Sequence, residues 1–171
     1  AGANWIWSRY GVGQDKVQAE HMYFRKAFAT KAGKTVKQAL FGFSVDDSGR
    51  LYVNGQYAGE CDMWSAGALL DITEFVTAGQ NFLAVDGYNK ESGYAGFVGK
   101  LEITYTDNTK ETLVTDSSWK LTKTLTTGWE KPGFDDAGWE KPDQVLSYGS
   151  TPWGTQVNLA VDLAPPHSAP L

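Results

Sequence analysis

Cysteine, histidine and net positive charge are scarce in this chain, and each shortage removes a class of function. Cys61 is the single cysteine in 171 residues, so neither an intrachain disulfide nor a thiolate metal cage can form. A solitary cysteine reads as a small buried hydrophobe and leaves the redox compartment open. Histidine occurs twice, at His21 and His167, too few for a zinc site of the usual kinds. With no Gly-x-Ser-x-Gly turn, the parts of a Ser-His-Asp triad are missing as well. The formal charge is −5, and no basic stripe exists to neutralise phosphates, which argues against nucleic acid as a partner. No apolar run approaches the roughly 20 residues of a membrane span. Gly11-Val12-Gly13 lacks the third glycine and the βαβ surroundings of a nucleotide loop and reads as a surface loop.

Aromatic residues are abundant instead: 13% of the chain, with seven Trp and eight Tyr. That exceeds what one core of this size needs and points to exposed or half-exposed aromatic surface. The length suits one domain with a real core. Short apolar runs broken by turn signals predict an all-β sandwich, with strands over 22–28, 36–45, 51–53, 56–58, 81–88, 97–105, 111–115 and, closing the fold, 157–163. Asn54-Gly55 between two of these runs is a type I′ hairpin signal, since both residues accept positive φ. Residues 69–76 read as a turn or a single helical turn. No segment keeps a 3.6-residue period over a dozen positions, so long helices are not expected. Gly128-Trp129-Glu130-Lys131-Pro132 recurs as Gly138-Trp139-Glu140-Lys141-Pro142, read as two Trp plugs that pack a loop against the sandwich. The sandwich is assigned to residues 1–163. Residues 164–171 form a Pro-rich tail or linker. The opening Ala1-Gly2-Ala3, with no signal peptide visible, looks like a mature or excised start.

The adjacent carboxylates Asp46 and Asp47 fall on the turn between two strands. Glycoside hydrolysis needs carboxylates about 5 Å or more apart across a sugar, whereas neighbours in a strand point to opposite faces. An irregular loop at Ser48-Gly49 would present both to one cation or ligand more naturally than across a scissile bond. Spacing leaves two readings open: a turn cap made by Asx-type hydrogen bonds, or a site for a hard cation such as calcium. No EF-hand spacing occurs, so calcium ligands would come from separate loops, with Asn89 the best second contributor. Vicinal sugar hydroxyls could fill an open position on the ion. Trp64, Tyr88 and Tyr94 would then offer apolar faces to the ring, or serve in ordinary half-buried packing.

A series of motifs carries a resemblance. Tyr23-Phe24-Arg25-Lys26-Ala27-Phe28, then Asp46-Asp47, then Leu51-Tyr52-Val53-Asn54-Gly55 resembles the jelly-roll domains of α-L-rhamnosidases. Leu70-Asp71-Ile72-Thr73, Gly79-Gln80-Asn81-Phe82-Leu83-Ala84-Val85, Thr115-Asp116-Ser117-Ser118-Trp119-Lys120 and Phe134-Asp135-Asp136-Ala137-Gly138-Trp139 continue it. It runs from Trp5 to Trp139, and many of its pieces mark galactose-binding-like jelly rolls generally. Within that group the chain looks most like carbohydrate-binding module family 67. The resemblance implies L-rhamnose binding assisted by calcium, with Asp46 and Asp47 approaching both ion and sugar. Asp47 stands where the family can carry Asn. Asn89 would be a calcium ligand, and the Tyr94 carbonyl would stand where a backbone oxygen binds the ion. The catalytic (α/α)₆ barrel of the rhamnosidases is not implied, for the chain has neither the length nor the helices.

The sequence is therefore read as a secreted β-sandwich module that binds terminal L-rhamnose on polysaccharides or glycans, alone or fused to a catalytic domain. Two competitors remain. One is a small glycosidase or lyase pairing Asp46 with Glu60 or Asp62. The other is a structural jelly roll whose Trp-rich 128–153 segment packs on a partner domain.

Overall fold

The computed structural model describes residues 2–8, 15–142 and 144–155. Eleven strands appear among them: β1 (Asn4–Trp7), β2 (Glu20–Ala29), β3 (Val36–Asp46), β4 (Ser48–Val53), β5 (Gln56–Cys61), β6 (Ala68–Asp71), β7 (Gln80–Asn89), β8 (Gly96–Tyr105), β9 (Lys110–Val114), β10 (Lys120–Thr122) and β11 (Gln144–Ser147). A six-stranded sheet runs β11-β1-β8-β3-β6, with β9 also paired to β8, and a five-stranded sheet runs β10-β2-β7-β4-β5. Every neighbouring pair among these strands is antiparallel. The chain is an all-β, galactose-binding-like jelly-roll sandwich, as its broken apolar runs anticipate.

The two-residue alternation of each strand builds the interior. Phe41, Phe43 and Val45 of β3 and Phe97 of β8 are buried, as are Phe24 of β2, Leu83 and Val85 of β7, and Leu51 and Val53 of β4. The sheets meet through aromatic edges: Phe24 and Phe97 lie 5.0 Å apart at 61°, a geometry that sets ring edge against ring face. The β4–β5 hairpin turns at Asn54 and Gly55, with φ of 51° and 84°, the left-handed values expected there. A register shift between Leu51 and Tyr52 follows the turn.

Several elements differ from expectation at their ends. Residues 69–76 hold the short edge strand β6 followed by a 3₁₀ turn, Thr73–Phe75, because a four-residue apolar run carries no period that separates strand from turn. Strands β1, β10 and β11 are three or four residues long and give no alternation to read. The expected strand 157–163, the tail 164–171 and Gly11-Val12-Gly13 lie outside the described residues.

A second, smaller core sits on the outer face of the five-stranded sheet. Trp129 packs edge-on against Tyr23 at 4.9 Å and against Tyr52 at 5.8 Å, and Trp139 stacks beyond it at 6.4 Å. The repeated Trp motif thus pins a flap, residues 126–140, to the sheet. Buried Arg25 is its anchor. Nη1 donates to the Trp129 and Lys131 carbonyls, and Nε donates to Asp136 Oδ2 at 3.0 Å. Lys120 Nζ reaches the other Asp136 oxygen at 2.8 Å. Burial pushes the Asp136 carboxyl up, but the Lys120 and Arg25 hydrogen bonds outweigh it and hold the group below its ordinary value. Trp129 and Trp153 are buried and Trp139 is half-buried, so this chain itself covers most of the Trp surface of that segment.

Arg25→Ala strands two carbonyls and a carboxylate, and is expected to cost about 3 kcal/mol in urea unfolding and to red-shift Trp emission as the flap lifts. The contribution of Asp136 is present above its unfolded value and lost as pH falls through the lower folded one. Flap fluorescence in the native protein should therefore hold through the ordinary carboxylate range and change only below it.

Candidate functional site

β3 carries its apolar side chains Phe41, Phe43 and Val45 inward, so alternation turns Ser44 and Asp46 to the other side of the six-stranded sheet. Asp46 ends the strand, directly opposite Gly96 of β8. A side chain at position 96 is impossible there: its Cβ would lie 2.7 Å from the Trp153 ring and 2.9 Å from the Trp5 ring. Glycine lets the Trp153 indole lie flat on Trp5, with centroids 4.1 Å apart at 18°. In that position Trp153 Nε1 donates to Asp46 Oδ2 at 2.8 Å. Asp46 is 9% exposed and Trp153 1%.

Asp47 follows through a cis peptide. Its backbone N–H donates to the Tyr88 carbonyl at 2.9 Å, and its Oδ2 accepts from the Lys90 N–H at 2.8 Å. Asn89, the last residue of β7, lies between these two anchors and is 1% exposed. Its Nδ2 donates to the Gln18 carbonyl at 2.9 Å and to the Val17 carbonyl at 3.4 Å. Val17 is held by paired backbone hydrogen bonds to Gly93. With its N–H groups engaged, Asn89 has only the acceptor Oδ1 to offer a ligand.

The electrostatics of the pair are those of a crowded anion site. Burial raises the Asp46 carboxyl, the Trp153 N–H draws it back, and the charge and hydrogen bond of Asp47 raise it again, to about 6. Two carboxyl groups within hydrogen-bond reach are relieved by sharing a proton or by taking up a cation. Among the described residues no group of three or more His, Cys, Asp and Glu could hold a metal. The side chains at this end of the fold, two carboxylates and one amide, are of the oxygen-donor types that a hard cation such as calcium takes.

The remaining sequence-predicted residues separate. Tyr94 is 41% exposed and sets its ring against Trp153 at 6.5 Å and 70°, which places it at the rim of the pair. Tyr88 sends its carbonyl to Asp47 but stacks its ring on His21 at 4.3 Å, on the outer face of the five-stranded sheet. Trp64, on the loop after β5, packs half-buried against the main core, and its carbonyl accepts from Ser44 Oγ at 2.6 Å. Glu60 sits in β5 opposite Arg50 and accepts from the Tyr57 hydroxyl at 2.8 Å. That hydroxyl, then Asp62, lowers the Glu60 carboxyl below its ordinary value. Glu60 and Asp62 thus associate with each other on the five-stranded sheet, while Asp46 ends a strand of the other sheet. Cys61 is buried, and burial pushes its thiol up, as suits a core position. Sequence reasoning missed Trp153. Its only signal was a place in the Trp-rich C-terminal segment, 107 residues from the carboxylate it holds.

No protein-family model matches the chain. A curated relative, the α-L-rhamnosidase of Streptomyces avermitilis, is 29% identical over 160 residues, covering 90% of this chain and 15% of the relative. The chain therefore spans less than a sixth of that protein. The crystal structure of the Streptomyces avermitilis enzyme complexed with L-rhamnose superposes with a TM-score of 0.83 at 27% identity, over 92% of this chain and 16% of that one. A lectin from Pleurotus ostreatus in complex with GalNAc gives 0.82 at 26% identity, over 91% and 47%. Its apo form gives 0.80 at 30% identity, over 97% and 46%. The chain is thus homologous to a small part of an α-L-rhamnosidase and shares its sandwich with a lectin.

In chelator-treated protein, Asp46 should titrate near pH 6, against 3.8 for its unperturbed carboxyl. The folded state then binds more protons than the unfolded state between those values. The contribution of this group is accordingly full below the lower value and lost as pH rises through the upper one. Thermal unfolding between about pH 4 and pH 7 should show that downward slope in the native chain and lose it in Asp46→Asn.

Proposed function

We propose that this chain is a non-catalytic carbohydrate-binding module that holds terminal L-rhamnose with the help of calcium. The observation that carries the reading is the fastening of the Asp46-Asp47 turn to the end of β7, where Asp47 bonds the backbone on either side of Asn89, while the exposed Tyr94 packs on the indole that holds Asp46. In this reading Asp46, Asp47, Asn89 Oδ1 and the Tyr94 carbonyl hold calcium, which supplies an attachment point for neighbouring sugar hydroxyls. The chain's own residues do the rest. Trp153 fixes the Asp46 carboxylate so that one oxygen stays free for ion or sugar. The Lys90 N–H does the same for Asp47. The half-exposed Tyr94 ring offers an apolar face to the sugar, with Trp64 behind the Ser44 side of the strand.

Two further observations support binding over cutting. Asp46 Oδ2 is taken by the Trp153 N–H and Glu60 Oε1 by the Tyr57 hydroxyl, so each carboxylate is engaged in its own local hydrogen bond. The relative of known chemistry is several times longer than this chain, which leaves room in it for a separate catalytic domain. We read the module as an extracellular one, fused to such an enzyme or acting alone as a lectin. The Pleurotus ostreatus lectin complexed with GalNAc favours a second specificity on the same scaffold, for N-acetylgalactosamine in place of L-rhamnose.

Calorimetry with L-rhamnose should show a component of modest affinity, since one sugar offers little apolar area, that EDTA abolishes and calcium restores. Absence of that calcium-dependent component overturns the reading, and its appearance with N-acetylgalactosamine alone selects the second specificity. Asp46→Ala should abolish the calcium-dependent component while the melting temperature is kept; a collapsed fold would support the turn-cap role instead. Trp153→Phe keeps the stack on Trp5 but loses the N–H, and should weaken L-rhamnose about tenfold, the worth of one hydrogen bond to a charged group.

A further inference from the structure

The outer face of the five-stranded sheet is only half covered. The flap with Trp129 closes the rows that contain Tyr52 and Ala84. Next to these the sheet register lays out two further rows, the second covered by the flap only at its Tyr23 end. In one, His21 lies opposite Tyr88 and Tyr88 opposite Ser48. In the next, Tyr23 lies opposite Asp86, Asp86 opposite Arg50, and Arg50 opposite Glu60. Because β4 brings a small residue, Ser48, between the large side chains of its neighbours, a hollow of about 290 Å³ opens there, lined by His21, Ser48, Arg50, Glu60, Asp86 and Tyr88. That is the lower end of the range for small-ligand sites.

The hydrogen-bonding capacity around this hollow is mixed and largely unused. Asp86 Oδ1 takes His21 Nδ1 at 2.7 Å, which leaves its second oxygen available to a ligand, while Glu60 takes the Tyr57 hydroxyl on Oε1 and also meets Asp62. Arg50 is exposed, and neither its guanidinium nor the Ser48 hydroxyl appears in any hydrogen bond or ion pair among the described residues. A simple anion drawn to Arg50 would face Asp86 on one side and Glu60 on the other. A simple cation drawn to those carboxylates would face Arg50 between them. Hydroxyl groups, each both donor and acceptor, satisfy the alternating row without adding charge. Tyr88, held upright by its stack on His21, supplies the apolar wall a sugar ring needs.

We propose that this hollow is a second, calcium-independent carbohydrate site that takes one neutral pyranose residue. Arg50, Asp86 and Glu60 bind its hydroxyls and Tyr88 packs against its ring. The two sites are neighbours along the chain. Asp47 and Asn89 belong to the first, and the residues beside them, Ser48 and Tyr88, to the second, because adjacent strand residues face opposite ways. The second site does not rest on the cation reading of the first.

The test is an amide NMR titration of the full chain, in calcium and again in EDTA, with a panel of neutral pyranosides, L-rhamnose and N-acetylgalactosamine among them. The expected result is saturable shifts at residues 21, 48, 50, 60, 86 and 88 that survive EDTA and Asp46→Ala. Arg50→Ala, at an exposed position whose guanidinium only faces the Glu60 charge, should weaken those shifts at least tenfold and leave the melting temperature nearly unchanged. Shifts that disappear in EDTA, that persist undiminished in Arg50→Ala, or that no pyranoside evokes at this face overturn the proposal. Failure of the calcium reading would show separately, as EDTA-insensitive shifts at residues 46, 47 and 89 or none there at all.

Discussion

The Trp153 indole rests on Trp5 and gives its N–H to Asp46, and this contact joins three distant parts of the chain at one point. It needs the first strand for the Trp5 face, the eighth for the bare backbone of Gly96, and the C-terminal segment for the indole itself. A buried carboxylate is costly unless hydrogen-bonded, and the indole N–H is the partner that lets Asp46 sit under cover beside Asp47. Without it the carboxyl would be driven further toward its protonated form, since this is the interaction that opposes burial and the neighbouring charge. The organisation of the whole loop end follows. Asp47 is fastened to β7 and Lys90, Asn89 to the Val17–Gln18 backbone, and Tyr94 stands at the rim.

Strand alternation then divides the chemistry between two places. Residues 46 to 48 and 88 to 90 are contiguous pieces of chain, yet their side chains go to opposite sides of the sheets. The ring of Tyr88 is lost to the Asp46–Asp47 site for this reason, while its carbonyl remains part of it. The same rule carries Glu60 and Asp86 to a common outer face with Arg50 between them. A carboxylate-rich chain thereby avoids one large anionic patch and presents two unlike surfaces: one where adjacent carboxylates crowd, the other mixed in charge.

The surplus of aromatic residues also has two uses. Phe24, Phe43 and Phe97 close the space between the sheets, as in any sandwich. Trp129, Trp139 and Tyr52 build a second layer outside the five-stranded sheet, secured by the buried guanidinium of Arg25. A residue of that charge is seldom fully buried, and here its hydrogen bonds to two carbonyls and to Asp136 keep it there. The flap decides how much of the outer face stays open, and so it shapes the hollow beside His21.

Sequence alone settled the fold class, the hairpin at Asn54-Gly55, the Trp-pinned flap and the candidacy of Asp46, Asp47 and Asn89. Each of those rests on a local signal: alternation, a turn dipeptide, a repeat, or polar residues beside a strand end. Short edge strands such as β1, β10 and β11 escaped because three or four residues hold no period. Trp153 escaped because nothing near it in the chain betrays a partner 107 residues away. Tyr88 could be named from its neighbours but not aimed, since its direction depends on the register of β7 against β2 and β4. Local pattern named the candidate residues. Only the tertiary structure decided which of them meet, because sheet register and the space left by Gly96 arise from pairing across the whole chain.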